Sequence, residues 1–215
     1  MVNIYSDKIE DFSKFLWEAG KNVNLFGFSS YENMIEIGIK DSINSIIIAK
    51  RFLKGTGHIL DIGSGGGLPG IIAAIMMENT QCILVEARKK KANFLNSAIA
   101  HLGLKNCIVE NIRIEEYKNK NAFDLVFCRA VGNLALSLEY ALPFLKKKGI
   151  FIANKGKNIE KELKDAEYAM QLLGGKIIER VKLETGENVI ITKFKNTPEK
   201  FPRNTGIPSK YPLIK

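Results

Sequence analysis

The sequence has few of the residues that form disulfide frameworks or zinc sites. Its 215 residues include 3 cysteines and 2 histidines, His58 and His101, and none of them are arranged with CxxC or HxxxH spacing. A bound metal is therefore not expected. The odd number of cysteines, in apolar runs typical of strands, indicates reduced core thiols of a cytoplasmic protein; these are Cys82, Cys107 and Cys128.

Long apolar segments are also lacking. No uninterrupted apolar run approaches the roughly 18 residues of a membrane-spanning helix. The first 17 residues mix acidic, basic and apolar side chains, which does not match a signal peptide. Neither internal repeats nor low-complexity linkers are evident. We therefore expect neither a membrane protein, nor a secreted one, nor a repeat protein.

Positive charge is in excess, with a formal net charge of +9, and it is unevenly distributed. Residues 1–54 are balanced, whereas residues 193–215 carry 6 Lys/Arg against Glu199 alone. Four further cations, Arg88 to Lys91, begin a predicted helix, where the macrodipole disfavours positive charge. Both features favour a polyanionic partner such as RNA. Ordinary solubility charge and a solvated helix face are the alternatives.

One stretch, from His58 to Gly70, organises the rest of the chain. A short apolar run ends at Asp61, five glycines fall between Gly63 and Gly70, and an apolar helical pattern continues from Leu68 to Met77. This order predicts a buried strand, a tight turn and a helix. Glycines allow a ligand to approach the bare backbone, and N–H groups at the helix start have no intrahelical partner.

Two cofactors fit such a turn. The GxGxxG spacing from Gly65, with Glu86 further on, matches the dinucleotide fingerprint. The DxGxGxG spacing from Asp61 matches the glycine loop of Class I methyltransferases, which bind S-adenosylmethionine (AdoMet). The charge of Asp61 would repel a pyrophosphate but attract the ammonium group of AdoMet. A glycine turn without a ligand is the remaining alternative. We therefore predict that AdoMet binds at Asp61, Gly63, Gly65 and Gly67.

Apolar runs typical of strands alternate with helical patterns after this turn, which predicts an α/β fold with a mostly parallel sheet covered on both faces. The expected strands are 82–85, 107–109, 123–128, 150–153, 176–183 and 188–194. Helices are expected at 7–19, from Glu32 or Lys40 to Leu53, and at 88–103, 134–145 and 159–173. We expect a loop over 22–33, a short helix or turn over 112–117, and a lysine run, 146–148, that closes the helix before it.

Ligands of such sheets bind at the carboxyl ends of the strands. There Glu86 is predicted to accept the ribose hydroxyls of the cofactor, with a role as helix cap as the alternative. Ile114 and Glu115 are predicted to lie against the adenine, where the Glu115 carboxylate would accept a hydrogen bond from the adenine amino group. The alternative is that they belong to a solvated acidic surface. Glu110, Arg129 and Lys155 follow other strands.

The end of the fourth predicted strand reads Cys128-Arg129-Ala130-Val131. It lacks the Asn/Asp-Pro-Pro-aromatic tetrad of enzymes that methylate exocyclic amino groups, and the Pro-Cys of enzymes that methylate cytosine C5. Cys128 is therefore predicted to be a core thiol. Guanine N7 carries no proton, so its methylation needs no general base. Arg129 would then position the guanine O6, a phosphate or the cofactor, with catalysis by proximity and alignment.

These motifs together resemble a known family. The sequence reads DIGSGGGLPG from Asp61, with Cys128-Arg129-Ala130, Lys155-Gly156 and PRNTGIPSKYPL from Pro202 after it, and Asn24-Leu25 and Lys40-Asp41-Ser42 before it. It is similar, over nearly the whole chain, to the bacterial small-subunit rRNA guanine-N7 methyltransferase G family, also called glucose-inhibited division protein B. One departure is Lys40, where the family usually has His.

The resemblance implies a Class I fold with a seven-stranded sheet and an N-terminal helical extension. It implies methylation of N7 of guanine 527, in the 530 loop of 16S rRNA, with AdoMet as cofactor. The cofactor positions that it implies are Gly63, Leu68, Glu86, Ala87, Arg88, Ile114, Glu115 and Arg129. A methyltransferase acting on another RNA or a small molecule, and a non-catalytic RNA-binding protein, are the alternatives.

We expect three regions: a helical extension over 1–54, a methyltransferase core over 55–195 and a basic tail over 196–215. Four of the chain's 6 prolines lie in this tail, which favours extended conformations. We predict that the tail is an RNA clamp, with packing on the sheet as the alternative. The partner would be 16S rRNA or a 30S particle, bound by a cytoplasmic monomer through Arg88, Lys89, Lys90, Lys155, Arg203 and Lys210.

Overall fold

The computed structural model describes residues 4–20, 25, 27–157 and 159–214, with the side chains of residues 4–6 excepted. The first helix, α1, spans Ile4–Gly20 and buries Phe12 and Leu16 completely. It includes the whole of the helix predicted for residues 7–19. Part of the predicted loop over 22–33, with Asn24 of the family motif, lies outside the described residues.

A second, nearly continuous helix follows. It consists of α2 (Tyr31–Asn33), a π-helical segment (Met34–Ile39) and α3 (Lys40–Ala49). The hydroxyl of Ser30 accepts from the N–H of Asn33 over 3.1 Å and caps the first turn. The helix therefore starts close to Glu32, the earlier of the two predicted starts, and the π-helical segment was not predicted.

The sheet formed by the described residues has seven strands in the order β3-β2-β1-β4-β5-β7-β6. The first five strands along the chain run parallel, whereas β7 is antiparallel to both of its neighbours. This arrangement confirms the predicted α/β class. The strands are β1 (Gly57–Ile62), β2 (Thr80–Val85), β3 (Cys107–Glu110), β4 (Phe123–Arg129), β5 (Leu145–Gly156), β6 (Gly175–Lys182) and β7 (Gly186–Lys193).

Helices cover both faces of this sheet and form two apolar cores with it. One core combines α1 and α3 with the helices after β1 and β2, so the N-terminal helices share a core with the sheet. The other core lies beneath the helices after β4 and β5 and also contains Phe201 of the tail. The remaining helices are α4 (Gly70–Met76), α5 (Lys89–His101), a 3-10 turn (Ile114–Glu116), α6 (Leu134–Ala141), α7 (Glu160–Asp165), α8 (Glu167–Leu173) and α9 (Ile207–Lys210).

Two boundaries differ from the sequence prediction. The helix predicted for 134–145 ends at Ala141, because Pro143, two residues further on, has no N–H with which to continue the helical hydrogen bonds. The lysine run 146–148 therefore lies in the first part of β5 and does not close a helix. The helix predicted for 159–173 is interrupted at Ala166, where α7 ends before α8 begins.

No helix in the described part of the chain combines the length and the apolar character needed to cross a membrane.

Candidate functional site: a cleft at the carboxyl ends of the parallel strands

A cleft of about 770 Å³ opens at the carboxyl ends of β1, β2 and β4. Strand order reverses between β1 and β4, which is where ligands of open α/β sheets bind. The volume is within the range of small-molecule sites. Predicted cofactor residues that line the cleft are Gly63, Gly65, Leu68, Glu86, Ala87, Arg88, Ile114, Glu115 and Arg129.

The glycine turn between β1 and α4 forms one wall. The N–H of Gly63 donates to the carbonyl of Val85 over 2.9 Å, which ties the turn to β2. Gly63 and Gly65 have φ of 70° and 54°, a region that favours glycine. A Cβ at Gly63 would lie 2.8 Å from Val131 Cγ2, across the cleft. Glycine is therefore needed here for both backbone conformation and space.

Asp61 and Gly67, two of the predicted cofactor residues, do not line this cleft. Asp61 is 1% exposed, and its carboxylate accepts from the N–H of Gly70 over 3.2 Å at the start of α4. Burial raises the pKa of Asp61 to about 7. A Cβ on Gly67 would lie 2.6 Å from Ile71 Cγ1, so this glycine allows close packing. The interpretation of Asp61 as a direct ammonium partner is corrected: it shapes the turn from behind.

Glu86 connects the glycine turn to the next helix. Its Oε2 accepts from the N–H of Gly65 over 2.9 Å, and its Oε1 accepts from the N–H of Arg88 over 2.7 Å. Asn111 donates to the Glu86 carbonyl over 2.7 Å. Glu86 is thus bonded at the start of α5, as in the cap interpretation, and also lines the cleft. A carboxylate has further lone pairs for hydroxyl donors, so the ribose role stays compatible.

The opposite end of the cleft contains Ile114 and Glu115, on the 3-10 turn after β3. Oε1 of Glu115 accepts from the hydroxyl of Tyr140 over 3.0 Å and from the N–H of Gly206 over 3.1 Å. Glu115 is therefore held by a helix and by the tail, and does not belong to a purely solvated surface. Its contact with Tyr140 was not predicted.

Arg129, at the end of β4, lines the cleft but is bonded mainly to the π-helical segment and α3. Its guanidinium donates to the carbonyls of Gly38 and Ile37 over 3.1 and 3.0 Å, and to the hydroxyl of Ser42 over 3.4 Å. Burial lowers the pKa of Arg129, while the carboxylates of Asp41 and Asp61 act in the opposite direction. Arg129 thus fixes the strand end to the π-helical segment.

The three cysteines are buried, as predicted. Burial raises the pKa of Cys82 and of Cys128 to about 12, and raises that of Cys107 as well. At neutral pH these thiols stay protonated and are poor nucleophiles. Among the described residues, no cluster of three or more His, Cys, Asp or Glu side chains is arranged to hold a metal ion.

The six cations predicted to bind RNA fall into two groups. Arg88, Lys89 and Lys90, beside the cleft, and Lys210, in the tail, are exposed. Lys155 is 7% exposed and donates to the carbonyl of Gly132 over 2.7 Å, so it is not available to RNA. The side chain of Arg203 is paired with the buried carboxylate of Glu139. The RNA assignments of Lys155 and Arg203 are corrected on this ground.

Sequence reasoning missed several residues that line the cleft; some come from distant parts of the chain, and others lie within three positions of a predicted cofactor residue. Tyr140 lies on the inner face of a largely apolar helix, where its spacing suggests a core residue. Only the fold brings these side chains to the cofactor residues. Those not predicted include Leu25, Phe28, Lys91, Ile112, Val131 and Tyr140.

The residues of the cleft fit AdoMet. At one end Glu86 offers a carboxylate for hydroxyl donors, and at the other Ile114 offers an apolar wall beside Glu115. Between them the turn at Gly63 and Gly65 exposes bare backbone, which permits close approach of a ligand. In this fit, Asp61 is not a direct partner of the ammonium group of AdoMet.

Comparison with solved structures gives the same fold. An AdoMet-dependent O-methyltransferase from Thermotoga maritima superposes with a TM-score of 0.62 at 17% sequence identity, covering 86% of this chain and 73% of that one. An AdoMet-dependent methyltransferase from Aquifex aeolicus gives a TM-score of 0.57 at 17% identity, covering 74% and 92% of the two chains.

Fold and cleft together define a Class I AdoMet-dependent methyltransferase. Residues 5–191 match the GidB family, rRNA small subunit methyltransferase G. The protein of that name from Syntrophomonas wolfei is 36% identical over 213 residues, covering 95% of this chain and 98% of the relative. That from Clostridium novyi is 36% identical over 220 residues, covering 98% and 87%. The chain belongs to the rRNA small subunit methyltransferase G family.

Proposed function

We propose that this protein methylates N7 of guanine 527 in the 530 loop of 16S rRNA. The observation that supports N7 as the reacting atom most directly is the placement of the acids in the cleft. Glu86 and Glu115 are the only acidic residues among the described residues that line it, and no histidine lines it. Both acids accept hydrogen bonds from residues that do not belong to the end of β4, namely Gly65, Arg88 and Tyr140. A nucleophile without a proton to lose suits such a site.

When bound, AdoMet supplies the methyl group from its sulfonium. The chain's own residues hold and align the reactants, which accounts for much of the catalysis expected when no proton moves. We assign the ribose to Glu86, the adenine to Ile114 and Glu115, and the methionine part to the turn at Gly63 and Gly65. Asp61 acts through the turn, by fixing the N–H of Gly70.

The guanine is assigned to the cleft beside Arg129, Ala130 and Val131, which line it after β4. Arg129 serves there as a positioning residue, because its guanidinium is bonded to the π-helical segment. The exposed cations Arg88 and Lys89 lie at the rim on the side of α5, where they can neutralise RNA phosphates. We further propose that the protein acts in the cytoplasm as a monomer, in which residues of a single chain line the cleft.

The test is incubation with labelled AdoMet and either 30S particles or naked 16S rRNA from a strain that lacks this modification. Mass spectrometry of nuclease fragments would locate the label. We expect one N7-methylguanine at position 527. Label at another nucleotide would contradict the assigned site, and label in neither RNA sample would contradict the assigned substrate. The two samples also distinguish particle from free RNA.

A further inference from the structure

The C-terminal tail is packed on the core next to the cleft. Phe201 is 2% exposed and belongs to the core beneath α6. The hydroxyl of Thr197 donates to the carbonyl of Leu173 over 2.7 Å, and Lys120 donates to the carbonyl of Glu199 over 2.8 Å. The tail thus packs on the sheet, which is the alternative to an RNA clamp.

The strongest contact of the tail is the ion pair between Arg203 and Glu139 of α6. Nε and Nη2 of Arg203 donate to the two carboxylate oxygens over 2.8 and 2.7 Å, and the Arg203 N–H adds a bond of 3.0 Å. Glu139 is 0% exposed. Arg203 also donates to the carbonyl of Tyr211 over 2.7 Å. Because the buried carboxylate depends on Arg203 for its partners, this pair fixes the tail against α6.

The next residue on α6 continues this arrangement into the cleft. The hydroxyl of Tyr140 donates to Oε1 of Glu115, and the N–H of Gly206 in the tail donates to the same oxygen. Burial raises the pKa of Tyr140, as does the neighbouring carboxylate of Glu115, so its hydroxyl stays protonated as a donor. Within the described residues, both hydrogen bonds to this carboxylate reach Oε1, so Oε2 is the oxygen available to a ligand.

We infer that the tail and α6 together form a positioning device that makes the cofactor site selective for the amino group of adenine. Arg203, Glu139 and Tyr140 are positioning residues: they act through Glu115. The inference rests on the proposed placement of the adenine at Glu115. It assigns the tail a role in cofactor recognition, in place of the predicted RNA contact of Arg203.

Positioning matters here because selectivity depends on what the carboxylate does when the wrong base is present. Hypoxanthine has a carbonyl oxygen where adenine has its amino group. A fixed carboxylate would face that oxygen without a proton between them, so the site should bind the hypoxanthine form much more weakly than the adenine form. A carboxylate free to rotate toward water would escape this cost. Loss of the fixing contacts should therefore weaken selectivity more than it weakens binding of the adenine form.

The test measures the affinities of S-adenosylhomocysteine and S-inosylhomocysteine by calorimetry and uses their ratio as the readout. We expect the wild-type protein to prefer the adenine form strongly. Tyr140→Phe removes one donor to Glu115, and Arg203→Lys keeps the charge but loses the two-point contact with Glu139. Each substitution should lower the ratio about tenfold. Glu115→Ala should bring the ratio close to one.

Thr205→Val is the matched control. The hydroxyl of Thr205 donates to Glu116 over 2.9 Å. The substitution therefore removes a tail contact of the same kind next to Glu115, but it does not change the contacts of Glu115 itself. Its ratio should equal that of the wild type.

Two outcomes would overturn the inference in different ways. If Glu115→Ala loses selectivity while Tyr140→Phe and Arg203→Lys keep the wild-type ratio, Glu115 recognises adenine but the tail does not position it. The same holds if these two variants merely melt earlier. If Glu115→Ala keeps the wild-type ratio, the adenine placement in the proposed function is wrong as well.

Discussion

Arg129 and Gly38 are joined by a hydrogen bond of 3.1 Å between a guanidinium N–H and a main-chain carbonyl. Gly38 lies in the π-helical segment, where bonds over five residues change the usual pairing of helix carbonyls. Arg129 supplies donors to two of these carbonyls, including that of Ile37. The π-helical segment is thereby attached to the end of β4, at the point where the guanine is proposed to bind.

Arg129→Ala should lower both turnover and stability, because it leaves the carbonyls of Ile37 and Gly38 without this donor. Hydrogen bonds to a charged donor contribute about 1.5–3 kcal/mol each, so we expect a loss of roughly 3 kcal/mol in the free energy of unfolding. Urea unfolding and single-turnover methylation measure the two effects. Arg129→Lys, which keeps the charge but not the two-point contact, should recover little of either. Wild-type stability in Arg129→Ala would contradict the attachment.

Glu86→Gln should weaken AdoMet binding by about 1–3 kcal/mol, since a charged acceptor is lost from the proposed ribose contacts. Calorimetry measures the affinity for AdoMet. Thermal unfolding measures the separate effect on stability of changing the bonds that Glu86 makes to Gly65 and Arg88. Glu78→Gln, at an exposed position, provides the control. If the Glu86 variant binds AdoMet normally and only melts earlier, Glu86 is solely a cap and a turn anchor.

Asp61 should make stability decrease as pH rises from about 4 to 7. The native state raises its pKa to about 7, from an ordinary value near 3.8, because the carboxyl is buried. In this range the native protein binds the proton more strongly than the unfolded chain, so deprotonation favours unfolding by roughly 1.4 kcal/mol per pKa unit. Asp61→Asn should remove this contribution. Parallel curves of unfolding free energy against pH for the two proteins would contradict the assignment.

The double substitution Lys89→Ala/Lys90→Ala should weaken rRNA binding and make it less dependent on salt. Each lost phosphate contact lowers the slope of log affinity against log salt by about 0.7–0.9, which gives roughly 1.4–1.8 for two. Lys147→Ala/Lys176→Ala is the control, because these lysines are exposed at the opposite end of the sheet. Equal slopes for the two double variants would show that α5 does not contact RNA.

The parts of the fold that depend on local pattern were predictable. Glycines around Gly65 and apolar runs ending at Glu86 and Arg129 were sufficient to predict the turn, the strands and their shared edge. Of the 22 residues that line the cleft, nine were among the predicted cofactor residues. Asp61 was placed correctly at the end of β1, but its side-chain direction depends on Gly70, whose lack of a Cβ lets the carboxylate approach. That packing is tertiary and leaves no separate signal in the sequence.

Contacts between distant segments were not predictable. Arg203 looked like a free cation because its partner, Glu139, is 64 positions away in an otherwise apolar helix. Lys155 likewise looked available to RNA, although it is bonded to Gly132 and Ser137. Charge in a sequence shows that a partner is needed, whereas only the fold decides whether it is a ligand or another part of the chain.

The contact between Gly206 and Glu115 also sets an order of events during synthesis. Residues 201–206 follow every strand of the sheet along the chain, so they are synthesised after all of the strands. On the inference made above, selective cofactor binding depends on this late segment, and a chain that ends before Arg203 would lose selectivity and also leave the buried carboxylate of Glu139 without its partner.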